Sequence, residues 1–416
     1  MPAWLVVALV GANLGLIYLF LAAPLGLRTI RRQVRIAQPA DRIWQALWPL
    51  GADAAWSGEI IGSEPAGDSL AWLTLSWEGR DGRPIRRLVR LSDVTEPRRY
   101  RMAVEDDTSL EPAFWADFSE TVEIVEEGPS ACHVTIEQTD RYRGLAFLVF
   151  RYFALRRRLS KLRVWAETGT YRGGGMFEHP LTQLGMACLS ILLLWPLAGL
   201  TRGGLAFAVM LTVVVALHEL GHMAAFRLAG HRSARMIFVP LLGGIAVGGR
   251  PYDSHFEVAF VALMGAGFSA FLVPPLMALS MSIGAAGNVH GENFFAAIVA
   301  CLALFNMANL VPVWKFDGGQ VLRQILRGGA ALAAGSCLLL GFFLLAAWMA
   351  GFPLHVVYVA GAVLAVLSII TASSGVKPRH ALTPASRPQR ALLAAGLVSV
   401  MVVHAAGMNW AFQTLA

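Results

Sequence analysis

The stretch LTVVVALHELGHMAAFRLAG, residues 211–230, is the most informative part of the sequence, because this apolar segment also carries His218, Glu219 and His222. On a helix, residues i and i+4 project from one face, so the two imidazoles can bind one metal ion. Glu219 lies where it can reach a metal-bound water. A carboxylate inside an apolar helix costs about 2.5–3.5 kcal/mol on insertion scales. The stretch therefore indicates a buried metal site, and the alternative is a helix that emerges into the cytosol with two surface histidines.

The composition is typical of a polytopic membrane protein with one soluble portion. The chain has 416 residues, of which 56% are hydrophobic and 15% are charged, and the mean hydropathy is +0.57. The net charge of +7 does not indicate nucleic-acid binding, because the arginines lie largely beside hydrophobic segments, where membrane topology explains them. The cysteines show no paired spacing, which favours neither a disulfide framework nor a cysteine zinc site.

An apolar run at residues 3–27 predicts an N-terminal transmembrane helix within residues 1–28. Four arginines follow it: Arg28, Arg31, Arg32 and Arg35. By the positive-inside rule they place the N-terminus outside a bacterial inner membrane and residues 33–170 in the cytoplasm. A cleaved signal peptide is the alternative, but the run has no basic segment in front of it.

Residues 33–170 have the pattern of a soluble α+β domain, with one amphipathic helix, several strands and a closing helix over residues 145–165. This order, with RIAQPADRIWQAL and SETVEIVEEGPSACHVTIEQ, resembles the helix-grip, START-like (SRPBCC) superfamily. The resemblance implies that a small apolar ligand could bind inside. The candidate cavity residues are Trp56, Trp72, Trp77 and Trp115, and ordinary core packing is the favoured alternative for them. The basic face of the closing helix could contact anionic lipid headgroups or solvent.

The rest of the chain is predicted to be a mainly α membrane core over residues 180–372 with a C-terminal transmembrane helix over residues 390–410. With the first segment, about eight spans are expected. They are residues 3–27, 181–200, 205–228, 256–283, 294–311, 331–350, 354–371 and 391–408. The stretch MIFVPLLGGIAVGG, residues 236–249, is too short and too rich in glycine and proline to span a bilayer. It predicts a re-entrant hairpin or loop buried against protein.

A second ionisable group is expected at the same level as the histidine pair. The inward-running segment at residues 294–311 leads into NLVPVWKFDGGQ, residues 309–320, which contains Asp317. Catalytic zinc uses three protein ligands and a water, so Asp317 is the candidate third ligand. The alternative is a helix-end carboxylate in a cytoplasmic turn.

The pair HELGH, residues 218–222, and NLVPVWKFDGG, residues 309–319, resembles the site-2 protease family of intramembrane zinc metalloproteases. PLLGG, residues 240–244, is similar to the membrane-inserted hairpin of that family. The resemblance implies a transmembrane protein substrate in the lipid bilayer, Zn²⁺ as cofactor and Glu219 as general base. The implied zinc ligands are His218, His222 and Asp317, and the implied substrate contacts are Asn309, Gly243 and Gly244. Asn309 could instead help to stabilise the developing oxyanion.

Some positions depart from the family pattern. Met264-Gly265-Ala266 and Ser269 stand where many members have Ala-Gly-Pro and Asn, and Trp314-Lys315 replaces a stretch that is often proline-rich. Gly265 is interpreted as a site of close helix packing. The alternative function is a catalytically inactive membrane protein that binds or senses lipid or an apolar ligand through the helix-grip domain. The intact Glu219 argues against it.

Overall fold

The computed structural model of the chain describes residues 11, 15, 18–20, 22–171, 179–231, 234–239, 243–313, 316–353 and 379–416. The chain forms two compact units: residues 1–173 with 373–381, and residues 174–372 with 382–416. Most of the predicted first span, the span at residues 354–371, the tip of the predicted hairpin and Trp314-Lys315 lie outside the described residues.

The first unit contains a seven-stranded antiparallel sheet in the order β1-β7-β6-β5-β4-β3-β2. The strands are Pro24–Ile36 (β1), Ile60–Gly67 (β2), Leu70–Glu78 (β3), Pro84–Thr95 (β4), Arg99–Asp107 (β5), Ser119–Glu126 (β6) and Cys132–Arg143 (β7). Two helices accompany the sheet: Ala40–Leu47 (α1) and Leu145–Thr168 (α2). The long helix buries Leu155, Leu159, Leu162 and Ala166. This spacing lies on one helical face, so the predicted helix-grip arrangement is confirmed.

The first strand begins upstream of the predicted domain boundary at residue 33. β1 starts at Pro24 and pairs with β7 from Arg143 to Cys132. The stretch 24–28 therefore belongs to the sheet and not to the predicted transmembrane helix, because its backbone groups are satisfied by a strand more than a hundred residues away. β2 was not predicted, since its mostly exposed residues show no apolar alternation.

The four tryptophans proposed as cavity residues have different environments. Trp115 is buried in the core cluster, and Trp56 packs against that cluster with its ring 5.7 Å from Trp165. Trp72 lies half-buried on the opposite face of β3 from the core, and Trp77 is 51% exposed. The core contains many buried side chains between the sheet and α2, so the interpretation of Trp115 as ordinary core is the one this packing favours.

The second unit is a helical core with one small hairpin. The helices are Pro180–Leu197 (α3), Arg202–Leu228 (α4), His255–Ala270 (α5), Val273–Ala285 (α6), Val289–Asn309 (α7), Asp317–Ile325 (α8), Gly329–Met349 (α9) and Arg387–Leu415 (α10). Five segments among the described residues are long and apolar enough to cross a membrane, with α5 and α6 counted as one, and α3 is a shorter apolar helix. The predicted count of about eight spans is therefore not confirmed.

The predicted hairpin is present. Arg235–Val239 (β8) and Gly243–Val247 (β9) pair antiparallel, with Val239 opposite Gly243. β9 lies against α4, and α4 also packs closely on α5. A Cβ on Gly221 of α4 would overlap the carbonyl of Met264 in α5, so only glycine allows this approach of the two helices.

Candidate metal centre

Two helices bring the three predicted ligands together. His218 and His222 lie one turn apart in α4, and their Nε2 atoms are 3.0 Å apart. Asp317 is the first residue of α8, and its Oδ2 lies 3.1 Å from Nε2 of His218 and 3.4 Å from Nε2 of His222. Among the described residues, these three form a group whose ligand atoms all lie within 4.8 Å of one another.

Two glycines after Asp317 explain how this carboxylate reaches the histidines. A Cβ on Gly318 would overlap the backbone of Leu310, and a Cβ on Gly319 would overlap the carbonyl of Val313. The start of α8 can therefore pack directly on the chain that leaves α7 only because both positions lack side chains. This packing holds Asp317 beside the imidazoles.

The other ring nitrogen of each histidine has a buried acceptor. Nδ1 of His218 lies 2.8 Å from Oδ1 of Asn306, and Nδ1 of His222 lies 2.7 Å from the carbonyl of Val261. Both Nδ1 atoms therefore carry the proton and donate it, a tautomer assigned from the partners. Each Nε2 then presents a lone pair to the same point.

The resulting donor set suits a divalent metal ion. Two Nε2 lone pairs face each other and Oδ2 of Asp317, which is buried without a hydrogen-bond partner. Three acceptors with no proton between them repel, whereas a cation at their centre would bind all three. Two neutral imidazoles and a carboxylate, with each imidazole oriented through its other nitrogen, fit the pattern of catalytic zinc sites.

Glu219 lies beside this group and against the hairpin. Its side chain is buried, and its Oε2 accepts a hydrogen bond of 2.9 Å from the backbone N–H of Ala246 in β9. A Cβ on Gly244 would overlap the side chain of Glu219, so the backbone of β9 contacts this carboxylate directly. Gly244 was predicted as a substrate contact, and the structure places it against the proposed general base.

The α5 backbone covers the other side of the ligand pair. A Cβ on Gly265 would approach Cε1 and Nε2 of His222 to 2.5 Å and Cε1 of His218 to 2.7 Å. The interpretation of Gly265 as a close-packing residue agrees with this contact. The surface on which Gly265 packs is the histidine pair itself, which the sequence did not indicate.

Two asparagines of α7 have different environments. Asn306 is fully buried and contacts His218, while Nδ2 of Asn309 donates to the carbonyl of Phe305 in its own helix at 3.0 Å. The predicted substrate contact of Asn309 stays a prediction. Asn306 was missed, although a buried polar residue in an apolar span is a general indication of function.

A second buried polar group lies where the hairpin joins the helices. Oε1 of Glu257 in α5 lies 2.6 Å from Nε2 of His231, just after α4, and 3.2 Å from the guanidinium of Arg250, just after β9. Oε2 of Glu257 accepts a hydrogen bond of 2.8 Å from the backbone of Asp253. These contacts fix both ends of the segment that holds β9 against Glu219, and the sequence did not indicate them.

Comparisons with known proteins agree with the resemblance of the membrane core. No protein-family model matches the chain. A stretch of 134 residues is 28% identical to Stage IV sporulation protein FB of Bacillus subtilis (strain 168), a site-2 protease. The alignment covers 31% of this chain and 44% of that protein, so the chain spans less than half of the relative's length.

Two solved structures each cover about a third of the chain at low similarity. A START superfamily protein from Mycobacterium smegmatis is 15% identical, with a TM-score of 0.27, over 34% of this chain and 99% of that chain. The Aha1 dimer from Colwellia psychrerythraea is 13% identical, with a TM-score of 0.28, over 34% of this chain and 98% of that chain. The strand order and the long closing helix of the first unit define its helix-grip arrangement.

Each unit contains the arrangement that the sequence predicted for it. The HELGH and NLVPVWKFDGG stretches, far apart in sequence, form one buried group in the second unit. The sheet of the first unit holds a long closing helix. These features, together with the partial similarity to the sporulation protein, agree with the resemblance of the membrane core to site-2 proteases and with a helix-grip arrangement of the first unit.

Proposed function

We propose that the chain is an intramembrane zinc metalloprotease that hydrolyses a peptide bond in or near a transmembrane segment of a membrane protein. The observation that supports this most strongly is the convergence of His218, His222 and Asp317 beside Glu219. The three ligands would hold the metal. Bound zinc supplies a Lewis acid that lowers the pKa of a water molecule and polarises a carbonyl.

The protein residues have distinct roles in this reaction. His218 and His222 would bind through Nε2, and Asn306 and the carbonyl of Val261 hold their rings in the required orientation. Glu219 would take the proton from the attacking water and give it to the departing amine nitrogen. The hydrogen bond from Ala246 holds its carboxylate in place.

The substrate must expose its backbone to react. In lipid, a peptide satisfies its backbone groups by forming a helix, so the segment to be cut has to unwind locally. Gly243 and Gly244 start β9, next to Glu219, and we propose that they and Asn309 contact the unwound substrate. Comparing membrane proteomes of cells with the wild type and with Glu219→Gln should reveal the substrate as a membrane protein that accumulates uncut.

Metal analysis of the purified full-length chain tests the proposed site. About one zinc per chain is expected, lost in His222→Ala and Asp317→Ala but kept in Glu219→Gln, which removes the base and not a ligand. His290→Ala is the matched control, because His290 is an exposed residue of α7 that is far from the ligands in sequence. Cleavage that persists in Glu219→Gln would contradict the proposed mechanism.

We further propose that the chain is integral to a bacterial inner membrane, with residues 33–170 cytoplasmic and the N-terminus external. In a variant without native cysteines, an exposed Cys at Asp68 should resist a membrane-impermeant thiol reagent in intact cells. A Cys at His290, in the predicted outer loop, should react. The reverse labelling pattern would place the helix-grip domain outside.

We also propose that the helix-grip domain binds a small apolar ligand and that the domain regulates cleavage. If the domain regulates cleavage, deleting it should change the rate or the choice of substrate. Unchanged cleavage after deletion would show that the domain has no such role.

A further inference from the structure

Seven arginines of β1 and α2 fall into two groups. The first group has acidic partners. The pairs are Arg31 with Glu137 at 3.3 Å, Arg35 with Glu127 at 2.5 Å, Arg151 with Asp140 at 3.6 Å and Arg158 with Glu120 at 2.7 Å. Arg32, Arg156 and Arg163 form the second group, and in the part of the chain that the structure describes no carboxylate pairs with them.

The three unpaired arginines line one pocket of about 500 Å³. The other lining residues are Gln33, Val34, Tyr152, Leu159 and Ser160. On α2, positions 152, 156, 159, 160 and 163 share a helical face, and β1 is the edge strand of the sheet. The pocket thus lies between an edge strand and the basic face of the closing helix, and no acidic residue lines it.

The chemistry of the lining favours an anion. Guanidinium groups remain charged at any physiological pH, so three of them around one pocket repel each other unless an anion binds. The guanidinium carbon of Arg32 lies 3.8 Å from the Tyr152 ring centroid, which orients this side chain, and its Nε is buried without a hydrogen-bond partner. Arginine forks match the oxygens of a phosphate group, and the hydroxyl of Ser160 can donate a further bond.

We propose that this pocket binds an organic phosphate, with the phosphate group at Arg32, Arg156 and Arg163 and an apolar portion against Val34 and Leu159. Its volume is within the usual range of small-molecule sites. The phosphate could belong to an anionic phospholipid headgroup or to a soluble phosphate ester. The site shares no residue with the proposed zinc centre and differs from an apolar cavity inside the domain.

Calorimetric titration of the full-length chain in a neutral detergent tests the pocket, with dioctanoyl phosphatidylglycerol as the probe. The triple variant R32Q/R156Q/R163Q should bind it at least about tenfold more weakly than the wild type, because charge-assisted contacts are lost. The matched control R31Q/R35Q/R141Q removes the same charge from exposed, acid-paired arginines of the same sheet and should bind within about twofold of the wild type.

Two further measurements separate the sources of the phosphate. Competition by inorganic phosphate in detergent would support a soluble ligand. Binding to phosphatidylglycerol vesicles but not to phosphatidylcholine vesicles, lost in the pocket variant and unaffected by inorganic phosphate, would support a lipid headgroup. The proposal is overturned if the wild type binds neither dioctanoyl phosphatidylglycerol nor phosphatidylglycerol vesicles. It is also overturned if the control variant loses binding as much as the pocket variant. Equal thermal midpoints of the two variants exclude misfolding as the cause.

Discussion

Replacing Asn306 with Ala removes the acceptor for the Nδ1–H of His218, which is hydrogen-bonded at 2.8 Å and buried. A buried donor that loses its partner costs about 1–3 kcal/mol. Loss of a residue that orients a metal-binding histidine typically weakens metal binding by about 10–100-fold. A factor of ten corresponds to about 1.4 kcal/mol, so the two estimates agree. We therefore expect Asn306→Ala to bind zinc about 10–100-fold more weakly than the wild type.

The assay is competition between the purified full-length chain and a chromophoric zinc chelator. Asn309→Ala is the matched control, since its side chain lies in the same helix and bonds only the carbonyl of Phe305 among its described contacts. Asn306→Asp keeps an acceptor oxygen and should retain most of the affinity. Zinc affinity of Asn306→Ala within about twofold of the wild type would refute the assignment, as would an equal loss in Asn309→Ala.

Three further variants test the contacts around the site and the core of the first unit. Gly244→Ala should lower the rate of cleavage by about 100-fold with zinc content unchanged, because the new methyl group displaces Glu219; equal rates would show that β9 does not position the base. Glu257→Gln should destabilise the chain by about 3 kcal/mol, because it leaves His231 and Arg250 without their buried carboxylate; a thermal midpoint equal to that of the wild type would contradict this. Leu162→Ala should destabilise the first unit by about 2–5 kcal/mol, because Leu162 is fully buried. Faster hydrogen exchange confined to α2 and the sheet would show this loss of stability, and unchanged exchange would contradict the burial of Leu162.

Features that depend on local periodicity follow from the amino-acid sequence without the fold. The i, i+4 spacing places His218 and His222 on one face of a helix, and the apolar length of α4 indicates a membrane span. Several segments with alternating apolar and polar residues predicted a run of strands, and the amphipathic segment after them predicted the closing helix of the helix-grip order. Asp317 was placed near the histidines because two segments run inward and end at one level.

The groups that complete these features come from distant parts of the chain and become apparent in the fold. Asn306 and the Val261 carbonyl orient the imidazoles from other helices, and Gly244 contacts Glu219 from a hairpin. β1 begins at Pro24 because its backbone pairs with β7, although its first residues look like the end of a membrane helix. The hydrophobic pattern indicates which face of a helix or strand is apolar, but it does not indicate which backbone or side chain packs against that face. Hydrogen bonds and close contacts between segments far apart in sequence therefore depend on the fold.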